Sequence, residues 1–185
     1  MPVRVEKAAF NLREKINEMD GIVPYHKMPS GSILQVVQGR LTSQTESTAS
    51  TNTRVTIGLE VAITPHFPSS KILVNVDSLS MRTRTPGSTE VAFLVQRRFG
   101  QSGDWVDHWA FAEYSGSGTT TGGLYNREYY PGTNYLDSAG TTQEISYRVQ
   151  GYRVSGTANV AYFHQAGGSR GARNYCTITA MEVKQ

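Results

Sequence analysis

The chain has a single cysteine, Cys176, in 185 residues. No intrachain disulfide can form, so the fold must hold by packing and hydrogen bonding, as suits assembly in a reducing cytoplasm. Cys176 lies in an alternating run and reads as a small packed residue rather than a reactive thiol. Helix formers are scarce after Met19, which argues against a helical bundle for the body. No apolar run approaches the length of a membrane span, so no membrane partner is expected. The charged N-terminus lacks the apolar stretch of a secretory signal. Charge of one sign is lacking as well. The formal net charge is +3 and the charges are scattered, so no nucleic-acid partner is implied.

Catalytic signatures are missing too. The histidines His26, His66, His108 and His164 show neither HExxH nor HxH spacing. Asp107 precedes His108, but neighbours on a strand point to opposite faces. No G-x-S-x-G nucleophile elbow occurs. Residues 167–173, GGSRGAR, have the glycines of a phosphate loop without its GK[ST] end, and a strand follows rather than a helix. They read as a hairpin turn whose Arg170 and Arg173 are solvated; contact with an acidic partner is the alternative. Asp104, Asp107, Glu113, Glu128 and Asp137 are candidates for the spaced carboxylate pair of a glycosidase, yet no spacing brings two together. The expectation is a protein without catalytic residues, metal or cofactor.

What is present is β-forming composition: Thr, Ser, Gly, Val and Tyr are plentiful. Val55, Ile57, Leu59, Val61 and Ile63 alternate with Thr56, Gly58, Glu60 and Ala62, as a half-buried strand requires. Strands are likewise expected over 32–38, over 72–76 with a continuation through Leu79 and Met81, over 91–95, and over 105–114. Three more fall over 142–154, 157–164 and 174–184. Residues 39–53 read as a polar loop or edge strand, and 101–104 as a hairpin loop. About eight short strands with regular turns argue for a mainly β fold, an antiparallel sandwich or jelly roll with one short N-terminal helix.

That helix covers the first residues. Val5, Ala9, Leu12, Ile16 and Met19 recur at the spacing of a coiled-coil seam, and Asp20-Gly21 ends it. Phe10 lies off the seam and suggests a second docking surface. So short a helix is marginal alone in water. It needs its own copies, a groove on another protein, or the body of its own domain. The division that follows is an anchoring and oligomerising segment at 1–21, an extended neck at 22–31 and a β head at 32–185.

Residues 115–140 are Gly-, Ser- and Tyr-rich without a period, the mark of a long loop. Trp105, Trp109, Tyr125, Tyr129, Tyr130 and Tyr135 crowd around it as candidate ligand or subunit contacts, with packing in the core as the alternative. The spacing of Trp105 and Trp109 places both on one strand face.

Several phrases resemble a β-module of tailed-phage virion proteins, especially those of marine and cyanobacterial phages. They are PSGSILQVVQ at 29–38, VAITPHFPSSKILVNV at 61–76, YLDSAGTTQEISYRVQGY at 135–152, SGTANVAYF at 155–163 and YCTITAMEV at 175–183. FNLREKINEMDG at 10–21 is similar to anchor segments that begin such proteins, whereas 77–134 match nothing placed. The resemblance implies a structural, non-enzymatic virion protein, typically a homotrimer with a jelly-roll-like head, assembled in the host cytoplasm. Its partners would be other virion proteins of capsid or tail. A head decoration protein or short head fibre is the first expectation. A receptor-binding tail fibre, or its tip, for host surface glycans is the alternative.

Overall fold

The computed structural model describes residues 23–41, 45–47, 53–77, 79, 81–83, 89–116, 132–156, 161–163 and 176–185. The seam residues Val5, Ala9, Leu12, Ile16 and Met19, with Phe10, lie outside these, as do Tyr125, Tyr129 and Tyr130. The strands are β1 (Ile33–Leu41), β2 (Thr45–Ser47), β3 (Arg54–Ile63), β4 (Lys71–Asp77), β5 (Met81–Thr83) and β6 (Thr89–Phe99). They continue with β7 (Val106–Gly116), β8 (Thr133–Ser138), β9 (Ile145–Gly156), β10 (Ala161–Phe163) and β11 (Cys176–Val183).

Two antiparallel four-stranded sheets run β1-β11-β4-β8 and β3-β9-β6-β7. Among the eight long strands, the first sheet thus takes the first, eighth, third and sixth, and the second takes the second, seventh, fourth and fifth. Each sheet interleaves both halves of the chain, which is the jelly-roll order. Alternation along the strands points Ile57, Leu59, Val61 and Ile63 of β3, and Ile72, Val74 and Val76 of β4, into one core. Phe93, Val95, Ile145, Tyr147, Val149, Cys176, Ile178 and Ala180 join them, with Leu41, Leu79 and Ala139. Burying one such side chain is worth about 1.5–3 kcal/mol, so this core is the main source of stability.

The order also gives the body two poles. At one pole, the Gly100 amide donates to Glu144 and the Ala139 amide to Ser70, joining the β6–β7, β8–β9 and β3–β4 connections. The neck docks there. The Lys184 amide donates to Ser32 O, the Gly31 amide to Lys184 O, and Lys184 Nζ to the carbonyls of His26 and Met28. The Tyr25 ring lies 4.0 Å from that of His66 in the β3–β4 connection. At the far pole β2, β5 and β10, each interrupting a different connection, pair as a third sheet in the order β2-β10-β5. The connection from Gly116 to Gly132 leaves and returns at that same pole.

Three local expectations change. The neck is extended only in part: a 3-10 turn, Tyr25–Lys27, forms behind Pro24, whose fixed φ suits the start of a turn. Residues 133–138 are a strand rather than part of a long loop, because β4 offers them an edge to pair with. Gly39 does not end the first strand, which runs on to Leu41. A Cβ at Gly39 would stand 1.9 Å from the Glu60 carbonyl oxygen, so glycine is what lets β1 pass over β3. Gly58 (φ +82°) sits in the irregularity of β3 just before that crossing.

Candidate functional site

The edge strands β7 and β8 belong to different sheets and meet across the sandwich. Tyr135 and Asp137, two residues apart on β8, both face inward, since their register partners Val74 and Ile72 are core residues. Trp109 of β7 pairs with Val95 and also faces inward. Its ring stacks on Tyr135 with centroids 4.6 Å apart and planes 19° from parallel. Beneath this stack Asp137 is buried. Its two oxygens accept from Arg97 Nη1, each at 2.7 Å, and the Tyr147 hydroxyl donates to Oδ2 at 2.8 Å. His108 Nε2 lies 3.1 Å from Oδ1 without the alignment of a hydrogen bond. Burial lowers the imidazole's pKa from its ordinary value; Asp137 pulls it up, and Arg97 adds to the lowering. Burial, then the Asp137 charge and hydrogen bond, push the Tyr147 phenol far up, so it stays a donor. The group is a clasp between sheets, with its carboxylate already engaged by a cation and a phenol.

Trp105 belongs elsewhere. It lies just before β7 and packs on the outer face of the second sheet, 4.4 Å from the Arg98 guanidinium and 4.1 Å from that of Arg148. Arg148 Nε donates to Gln96 Oε1, Gln96 Nε2 donates to Asp107 Oδ1, and Asp107 is ion-paired with Arg54. Glu60 lies 3.6 Å from Arg98. Burial lowers the Arg148 pKa, Glu60 opposes this and Arg98 reinforces it. The expectation that Trp105 and Trp109 share a face is therefore corrected. The register of β6 and β7 shifts between Val95 and Gln96, opposite Trp109 and Asp107. That bulge inserts His108 and breaks the alternation, so His108 and Trp109 both touch Tyr135.

The carboxylate candidates separate in the same way. Asp107 lies on the outer face with Arg54 and Asp137 lies between the sheets, so the two do not face a common cleft. His108 does meet a carboxylate, but Asp137 rather than its neighbour Asp107. Of the six aromatic candidates, the structure brings together Trp109 and Tyr135, places Trp105 apart from them, and leaves Tyr125, Tyr129 and Tyr130 outside the described residues.

Sequence reading missed Glu182. It is fully buried at the neck pole, where Ser70 Oγ (2.6 Å), Gln35 Nε2 (2.7 Å), His66 Nδ1 (2.7 Å) and the amides of His66 (2.8 Å) and Phe67 (3.3 Å) converge on it. Burial pushes its pKa up. The hydrogen bonds from Ser70, His66, Gln35 and Phe67 together outweigh burial, and the net shift is downward. The one available signal was its inward parity with Ile178 and Ala180 in the last strand. Glu182 fixes the β3–β4 connection, and through His66 and Tyr25 it supports the neck.

No family model matches the chain, and no curated protein matches it. Similar solved structures are known. One is of infectious bursal disease virus, Gt strain, with TM-score 0.47, 18% identity, and coverage of 89% of this chain and 42% of that one. Another is the D431N mutant VP2 protein of the same virus in derived T=1 particles, with TM-score 0.43, 18% identity, and coverage of 89% and 40%. A third is a Clostridium thermocellum xylanase with CBM22 and GH10 modules, with TM-score 0.34, 8% identity, and coverage of 83% and 27%. The chain spans less than half the length of each of these neighbours.

Proposed function

We propose that the chain is a structural protein of a tailed-phage virion, a trimeric head decoration protein or short head fibre. Residues 1–21 would be the anchor, 22–31 the neck and 32–185 the head. The observation that carries this reading is the polarity of the body. The neck is hydrogen-bonded to the last strand at one pole, and the third sheet stands at the other. An anchor preceding Val23 would hold the body by the first pole and turn the second outward. Strands of this length separate the poles by about 30 Å. The phage-like phrases at 29–38, 61–76 and 175–183 cover both docking strands and the Glu182 cluster, so the resemblance and the polarity concern the same residues. The role calls for no catalytic residue and no cofactor. The test is removal of residues 1–21. The truncated protein should keep its β-sheet circular dichroism and be missing from purified particles. Retained incorporation would overturn the anchor.

A second reading is a receptor-binding fibre tip for host surface glycans. It is favoured by the connection between Gly116 and Gly132, which carries Tyr125, Tyr129 and Tyr130 and starts and ends at the far pole. Under it, Tyr129→Ala and Tyr130→Ala should lower adsorption of particles to host cells. Trp105→Ala, near the neck pole, tests whether the arginine-backed ring contributes. Unchanged adsorption in all three variants would count against this reading.

A further inference from the structure

The outer faces of the two sheets differ in kind. On the second sheet, Glu60, Arg148, Gln96 and Asp107 form one row across four strands and are joined to one another or to near neighbours. On the first sheet the register sets Val36 beside Met181, Met181 beside Leu73 and Leu73 beside Leu136. This is an apolar row crossing the whole sheet. The next row toward the neck adds Ile33 and Val183, beside Lys71 and Ser138. Rows farther from the neck turn polar: Gln38, Thr179, Asn75 and Asn134, then Arg40, Thr177 and Asp77. Ile33, Val36 and Leu136 remain 52%, 57% and 53% exposed. Single exposed apolar residues are ordinary, whereas a contiguous row is the mark of a contact surface.

We infer that the neck-side half of this face is where copies of the chain meet, side by side about an axis running from pole to pole. The inference rests on the homotrimer reading and locates its interface. Two observations select a second copy as the occupant. The first is where the preceding chain begins. The neck is bonded to Ser32 and Lys184, the residues flanking Ile33 and Val183, so it joins the body at the border of the apolar rows. Copies meeting here in parallel bring their Val5–Met19 seams together, at a high effective concentration. The second is area. The neck-side half, four strands at about 4.8 Å spacing over about 12 Å of strand length, offers about 230 Å² per copy. A standard interface needs about 800 Å² per partner. So small a patch is too little to hold a separate partner by itself, whereas a second copy can also be held through residues 1–21.

The test is the absolute mass of the full-length chain by light scattering after size exclusion, for the wild type, Val36→Glu and Leu136→Glu. Ala62→Glu, on the exposed outer face of the other sheet, is the control, and circular dichroism confirms folding of each. The inference expects about three times 20.4 kDa for wild type and control, falling to one times in both face variants. A twofold mass that falls the same way supports the face and overturns the threefold number. A trimer that persists in both folded variants overturns the face and leaves the trimer reading intact. A monomeric wild type overturns both.

Discussion

Arg97 of β6 reaches across the sandwich and gives both of its short bonds to Asp137 of β8 from a single nitrogen. The pair ties the second sheet to the edge of the first, under the Trp109–Tyr135 stack. Because Asp137 is buried, removing the cation alone leaves a carboxylate without its charge partner. Arg97→Ala should cost about 3–5 kcal/mol in urea unfolding. The double variant Arg97→Ala with Asp137→Ala should cost less than the sum of the two single changes. Additive costs would mean that the two side chains act independently.

Glu182 sets the acid limit. Its folded pKa lies below that of an ordinary glutamate, so its contribution is fully present above the unfolded value of about 4.3. That contribution is lost as pH falls through the folded value. Stability measured by denaturant melts should therefore drop below about pH 4.3, and the neck should loosen as the β3–β4 connection comes free. Glu182→Gln should be less stable than wild type at pH 7 and should lose less on acidification. A variant with an unchanged acid slope would rule Glu182 out as a source.

His108 adds an earlier step of the same sign. Its folded pKa is depressed, so the unfolded chain takes up the proton first as pH falls below about 6.5. The neutral ring favours the fold above that pH, and the benefit declines on acidification. His108→Gln should flatten the stability profile between about pH 7 and 5, read by thermal melts at fixed ionic strength. If the variant keeps the wild-type slope there, the titrating group lies elsewhere.

Gly39 tests the crossing of β1 over β3. A methyl group there meets backbone at Glu60 rather than a flexible side chain, so the strands must part. Gly39→Ala should destabilise by about 2–3 kcal/mol or more, a large effect for one methyl group. Gly31→Ala is a useful comparison: its Cβ would meet nothing within 4 Å, but its φ of +86° adds backbone strain. A loss at Gly39 no larger than that at Gly31 would mean that the crossing relaxes.

Where a residue's surroundings follow from its own strand, the sequence was readable. The alternation of 55–63 and 72–76 gave two strands and their inward faces, because side-chain direction in a strand has a period of two. The site was much less readable. β8 carries Tyr135 and Asp137 in a Gly- and Tyr-rich stretch, and only pairing with β4 makes it a strand. The bulge at His108 reverses local parity, and nothing in WVDHWAF marks it.

By itself, the sequence determined that the body is built of β-strands with one core, since composition and period are local properties of the chain. It also determined that no disulfide supports that core. The tertiary structure decided the rest. The jelly-roll order places residues far apart in the chain in one row, so Val36 and Leu136 stand at the two ends of one row with Met181 and Leu73 between them. The same order collects the donors around Glu182 from Gln35, His66 and Ser70, and puts the neck and the third sheet at opposite poles. Hydrogen bonding between strands fixes these relations, and a strand's sequence does not state which neighbour it will find.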